Sequence, residues 1–264
     1  MHNNKLPGNA VTRFGFLLML CLPPPLSAQT GQSAADALLK KPTDFRSRIE
    51  IRNEYQDLQG DGYRNAVVPR FEYAVSPSVA LRLETPYVTY DSGGPGSDRV
   101  SGQGDLVTRA AWRAMQRDNF ALIVGSEASF DTADNEKLGY GKTVVSPFMY
   151  AAINLPAHDA VFFPNIQQYS SVGGSSGRRD VNFTTLKPNL LTRWPNRTYT
   201  FLEPQFTLDW ERNAKVGLTV ELEYGKLLSN NIAAWVRPGI GVINKYELPQ
   251  VYNWNMEVGM RYIF

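Results

Sequence analysis

From residue 45 to the end of the chain, apolar and polar positions alternate. A period of two is the spacing of a β-strand with one apolar and one polar face. The last stretch shows it most clearly. Tyr252, Trp254, Met256, Val258, Met260, Tyr262 and Phe264 form one set, all apolar or aromatic. Asn253, Asn255, Glu257, Gly259 and Arg261 form the other, which stays polar until Ile263. Such a run exceeds an average soluble strand. Aromatic residues at both ends of the apolar face are the pattern of a lipid-facing strand with interface girdles. The alternative is the closing strand of a soluble antiparallel sandwich, and the rest of the chain decides between the two.

Twelve alternating segments can be traced: 45–57, 63–75, 79–90, 105–115, 120–130, 138–154, 161–170, 181–193, 198–211, 215–227, 232–242 and 252–264. Phe45, Ile49, Ile51 and Tyr55 mark the outward face of the first, and Leu202, Phe206, Leu208 and Trp210 that of the ninth. The sixth and seventh have no assignable face. The even-numbered connections are all short (76–78, 116–119, 156–159, 195–197, 229–231), whereas those after segments three, five and seven are long and rich in Gly, Ser and Asp. Short turns at one end and longer loops at the other, with an even strand number, are the asymmetry of an outer-membrane barrel. A sandwich has no reason to sort loop length by parity. The expected fold is therefore all-β: a single antiparallel transmembrane β-barrel of about 12 strands over residues 45–264.

The face opposite the apolar one then lines a lumen. Its basic residues are Arg46, Arg48, Arg52, Arg64, Arg70, Arg82, Arg109, Arg113, Lys215, Arg237 and Arg261. Its acidic residues are Glu50, Glu54, Glu72, Glu84, Asp105, Glu127, Glu203, Asp209, Glu221, Glu223 and Glu257. Arginines dominate segments one to four and acids dominate nine and ten, which lie across a twelve-strand barrel from three and four. Opposed rows would set a transverse field across a pore. The alternative is a salt-bridge network that fills the lumen, since charges that leave water must pair.

The start of the chain has another character. Lys5 and Arg13 are the only Lys, Arg, Asp or Glu among residues 1–28, and an apolar run of nine, Phe14 to Leu22, ends at Pro23-Pro24-Pro25. A basic region, a short apolar core and small residues at the cut describe a secretory signal peptide. Cleavage is placed after Ala28, followed by a periplasmic lead-in over 29–44. Removing the leader leaves 25 basic and 25 acidic residues, so the mature chain is formally neutral and nothing points to nucleic acid. The only cysteine, Cys21, leaves with the leader, and the only remaining histidine is His158, in a short turn. No Ser-His pairing, metal cluster or phosphate loop stands out, so neither a catalytic residue nor a cofactor or metal is expected. The resulting expectation is a passive channel for small solutes. A closed structural or loop-presenting barrel is the alternative, with a lipid-modifying enzyme behind it.

The run Gly102-Gln103-Gly104-Asp105-Leu106, opening a strand after a Gly-rich loop, resembles a motif of the outer-membrane family named for the meta pathway of phenol degradation. Pro147 inside a strand after Gly139-Tyr140-Gly141, and the aromatic terminus, fit the same resemblance. It implies a barrel transporter for small aromatic or hydrophobic compounds, with outer-membrane lipid around it, and carries over no substrate residue. The terminal Phe264 looks like the signal read by the barrel-assembly machinery. Deleting Phe264 should then lower the yield of folded barrel in the outer membrane, measured as heat-modifiable protein in membrane fractions. An unchanged yield would remove that role.

Overall fold

The computed structural model describes residues 43–264 apart from Pro95 and Tyr246, so the leader and residues 29–42 of the lead-in lie outside the described residues. The alternating segments form a closed, antiparallel barrel of twelve strands. Strand β1 is Arg48–Asp57 and β2 is Tyr63–Ser76. Strand β3 comes in two pieces, Val79–Glu84 and Tyr87–Asp91, and β4 likewise, Arg99–Gln103 and Leu106–Arg117. Then follow β5 Phe120–Phe130, β6 Lys142–Leu155, β7 Ala160–Gly174 and β8 Asn182–Trp194. The last four are β9 Thr198–Asp209, β10 Lys215–Leu227, β11 Ile232–Ile243 and β12 Trp254–Ile263.

Each strand pairs with the next, and β12 pairs back on β1 with Ile51 opposite Met260. Closure leaves no strand edge, which matters where no water can satisfy backbone groups. The outward positions carry the apolar set: Ile49, Leu81, Leu222, Val258 and Met260 are exposed, and so are Trp112, Trp194, Trp210, Trp254, Tyr87 and Tyr262. A contiguous apolar surface of this extent belongs against lipid. Connections at one end are short (77–78, 118–119, 156–159, 195–197, 228–231). Those at the other reach eleven residues (131–141), as loop parity predicts.

Three expectations are corrected. Phe45 is not outward. β1 begins only at Arg48, so the parity does not extend back to Phe45, which packs inside against an apolar cluster at the short-turn end. Tyr252 likewise precedes β12 and is buried, its hydroxyl donating to Glu221 at 2.5 Å. The loop expected over 91–104 is shorter, because Arg99–Gln103 pairs with Tyr87–Asp91. The faces of the sixth and seventh segments are also settled: Phe148 and Tyr150 of β6 and Phe163 of β7 point inward.

Mid-strand prolines occur on both sides of the wall, Pro69 in β2 and Pro238 in β11 among them. β6, β7, β8 and β9 each hold one in mid-strand, Pro147, Pro164, Pro188 and Pro204, all at outward positions. Proline donates nothing to a ladder. The pairing of β6 with β7, of β8 with β9 and of β10 with β11 is interrupted beside a proline, with the same register on either side. By contrast, β1 pairs without interruption to both its neighbours.

The lipid-facing assignment has a quantitative consequence. Met260→Arg places a charge at mid-strand on the outer face and should destabilise the barrel by about 2–4 kcal/mol in a bilayer. Urea unfolding from liposomes measures this, and a change near zero would mean that the face is wet.

Candidate functional site in the lumen

The lumen is packed in layers. At the short-turn end Ile123, Ala152, Val161, Leu191, Leu227, Ala233 and Ile263 form an apolar layer joined by Phe45. Beside it lies a network of ion pairs laid out by strand register. Arg261 of β12 stands opposite Glu50 of β1, Glu50 opposite Arg70 of β2, and Arg70 opposite Glu84 of β3. In the next row Arg48 stands opposite Glu72, and Glu72 opposite Arg82. Signs alternate from strand to strand, the favourable arrangement for directly opposed side chains.

The contacts follow that register. Arg70 reaches Glu50 and Glu84, both at 2.7 Å, and Glu72 is held by Arg48 at 3.2 Å and Arg82 at 3.1 Å. Arg52 lies between the opposed pair Glu54 and Glu257, 2.7 Å from Glu54, 3.5 Å from Glu257 and 3.1 Å from Glu84. Arg237 binds Glu223 closely and lies 3.6 Å from Glu221 and 3.8 Å from Glu257. Arg261 lies 3.5 Å from Glu50 and 3.6 Å from Glu223. Glu50 and Glu223 are each 2% exposed, so a carboxylate losing its partners here would be stranded. Hydrogen bonds supply the rest: Tyr199 donates to Glu223 at 2.7 Å, Trp235 to Glu257 at 2.6 Å, and Asn255 to Glu221 at 2.9 Å. Burial, and then Glu221, push the Tyr252 hydroxyl far above its usual range, so it stays a donor.

Of the two readings of the lumen charges, this arrangement is the salt-bridge network and not the transverse field. Strands β10 to β12 close onto β1 to β3, so the acids of β10 meet Arg237 and Arg261 and the arginines of β1 to β3 meet glutamates of the same strands. The two signs are interleaved, not opposed. Several predicted lumen residues stand apart from the network. Arg64 lies 4.0 Å from Glu54, while Glu203 pairs with Lys187 at 2.8 Å. Asp209 accepts from Arg212 at 2.8 Å and Gln250 at 3.3 Å, and Lys215 pairs with Glu247 beyond the strand. Arg113 ties down the lead-in through Asp44 and the Thr43 carbonyl. Arg46 lies before β1, at the short-turn end.

Sequence reading missed the aromatic residues of the lumen. Phe148 stands opposite Gly125, Trp235 opposite Gly259 and Tyr199 opposite Gly225. A Cβ on Gly259 would sit 2.2 Å from the Trp235 ring and one on Gly225 2.1 Å from the Tyr199 ring. These rings therefore lie flat on the wall, covering bare backbone. Arg109 caps the Phe148 ring at 3.9 Å and Arg261 caps Trp235 at 4.2 Å, a favourable use of guanidinium over an aromatic face. The legible signal was parity, since Trp235 shares that of Arg237, and Tyr199 that of Glu203.

At the long-loop end the two motifs of the family resemblance meet. Asp105, in the break of β4, accepts backbone N–H groups of Thr132 at 3.3 Å, Ala133 at 3.2 Å and Tyr140 at 2.7 Å. Gly139 packs so closely that a Cβ would lie 2.4 Å from the Asp105 carboxylate. Asp134 accepts the Gln103 N–H at 2.7 Å, and Leu138 is buried against Ala66, Val68 and Val88. Loop 131–141 is thus strapped to the wall formed by β2 to β4.

No known protein family matches the sequence, and no curated protein matches it. Solved structures do. An outer-membrane channel from Pseudomonas putida F1 is similar over 85% of this chain and 98% of its own, with TM-score 0.63 and 12% identity. The KdgM porin matches over 82% of this chain and 99% of its own, with TM-score 0.57 and 13% identity. The NanC porin matches over 81% and 98%, with TM-score 0.59 and 8% identity. At such identities the shared property is the fold, that of an outer-membrane porin-like barrel.

The network makes a stability prediction. Arg70→Met removes the nearest partner of Glu50 and Glu84, which keep Arg52, Arg261 and Arg82 within ion-pair distance. It should cost about 1.5–3 kcal/mol, the range of charged hydrogen bonds rather than of a pair broken outright. Adding Glu50→Gln should recover part of it. Urea titration of the refolded barrel reads both, and a loss below about 1 kcal/mol would make the ladder incidental.

Proposed function

We propose that the protein is an outer-membrane channel for passive passage of small solutes, exported with cleavage after Ala28, and that the described arrangement is its closed state. The observation that carries this reading is the charged lumen. A barrel serving only as a scaffold gains little from buried ion pairs, because apolar packing of similar volume is equal or better. Charged groups that can be rehydrated suit a polar path. The deep burial of Glu50 and Glu223 supports the closed assignment. So does the Phe45 seal, held by Arg113 through Asp44.

The likeness to porins and channels supports the same reading, as does the outer apolar band. Inward-facing Phe148, Tyr150, Phe163 and Phe201 support aromatic or hydrophobic solutes, the class implied by the phenol-degradation resemblance. Lipid and the barrel-assembly machinery are the partners this reading requires. His158 sits in a 3-10 turn, Pro156–His158, outside the lumen network. The second reading is a permanently closed structural barrel, favoured by the density of pairing in the network.

Planar-bilayer conductance separates the two. The refolded protein should give small, discrete steps, and Phe45→Ala should raise their size or frequency by opening the short-turn end. A heat-modifiable, folded barrel that conducts in neither form would leave the structural reading.

A further inference from the structure

We infer that the short-turn end of the lumen holds a binding site for a small organic carboxylate, and as a solute site it rests on the channel reading above. A cavity of about 80 Å³ opens there beside Phe45 and Tyr150. Four guanidinium groups line it, those of Arg46, Arg48, Arg82 and Arg109, against two carboxylates, Asp44 and Glu72. Both carboxylates are already engaged. Glu72 is shared by Arg48 and Arg82, and Asp44 binds Arg113. The cavity lining therefore carries two positive charges in excess, whereas in the network above it Arg52, Arg70, Arg237 and Arg261 face six glutamates.

The excess falls on identifiable groups. Among the described residues, neither Arg46 nor Arg109 has a carboxylate within ion-pair distance; Arg109 is held over the Phe148 ring. The Nε atoms of Arg46 and Arg48 are shielded from solvent and have no acceptor. Buried guanidinium donors are ordinarily satisfied, and carboxylate oxygens are their best-matched acceptors. The volume admits several water-sized spheres at roughly 10–15 Å³ each, which suits a small acid. The remaining lining is apolar or aromatic: Phe45, Tyr150, Ala80, Leu81 and Ala111. Guanidinium donors together with two rings in one lining suit a carboxylate with an apolar body, such as an aryl acid.

Calorimetric titration of the refolded protein in detergent at low salt tests this with benzoate, acetate and inorganic phosphate. Benzoate should saturate one site per barrel and bind about tenfold or more tightly than acetate, through its ring. Arg46→Gln should weaken benzoate about tenfold or more. Arg46 precedes β1 and holds no ion pair, so the barrel should fold; Arg109→Lys gives an independent check. Arg99→Gln, at the far end, should bind as the parent does. Phosphate bound more tightly than benzoate, no binding of any probe to folded barrel, or undiminished binding in Arg46→Gln would overturn the site. Binding does not need conduction. A barrel that binds benzoate but conducts nothing keeps this site and loses the channel, and the converse loses only the site.

Discussion

A strand that turns one face to lipid must put its polar side chains somewhere else, and in a closed barrel that place is the lumen. This constraint decides most of what is seen here. Charges crowded into a lumen of twelve strands lose much of their water, and each then needs an opposite charge or a dipole. The chain meets that need through register. Once β12 pairs with β1, Arg261, Glu50, Arg70 and Glu84 fall in a row across four strands with alternating sign. A slip of one residue in any of these pairings would send the charges to lipid and the apolar set to the lumen. Ion pairing and lipid exposure therefore enforce the same register from opposite sides of the wall.

The aromatic–glycine pairs solve a second problem of the same lumen. Long arginine side chains need room, and rings standing upright would take it. Opposite Gly125, Gly225 and Gly259 the rings lie flat, and for Phe148 and Trp235 the vacated space is filled by a guanidinium. Glycine ordinarily weakens a strand. Here the ring that covers it restores contact with the backbone and gives the arginine a surface, so the cost is offset locally.

These features differed in how far the sequence disclosed them. Period-two alternation and loop parity were enough for the barrel and its strand number, because both follow from the lipid face alone. The pairing of charges was not legible, since it depends on which strands become neighbours at closure. Counting by segment set Glu221 and Glu223 against the arginines of the early strands, whereas closure gives them Arg237 and Arg261. Phe45 and Tyr252 misled because parity was carried past the ends of their strands. β6 and β7 resisted assignment because Val144, Phe148 and Tyr150 face inward while Val145 and Met149 face outward, leaving no polar face to read. Gly102 to Leu106 was legible as a motif, but its task, fastening loop 131–141 through Asp105, needed the loop's position.

The wall is not equally stiff around its circumference, and this bears on how a closed lumen could open. From β10 through β12 to β3 the strands are tied by charges. From β6 to β9 each strand carries a proline, as do β2 and β11, and the ladders of β6 with β7, β8 with β9 and β10 with β11 are interrupted beside them. Deformation should concentrate where backbone hydrogen bonds are fewest. The charged side need not come apart for this to happen. Arg52 lies within 4 Å of four carboxylates, those of Glu50, Glu54, Glu84 and Glu257. Glu223 is held by Arg237, Arg261 and Tyr199. A group with several partners can trade one for another as the wall shifts, and the large penalty for an unpaired buried charge applies only if all are lost together. A lumen held shut by shared ion pairs can thus be stable and still yield by small displacements, as long as the wall moves where its ladders are interrupted and the charges only re-pair.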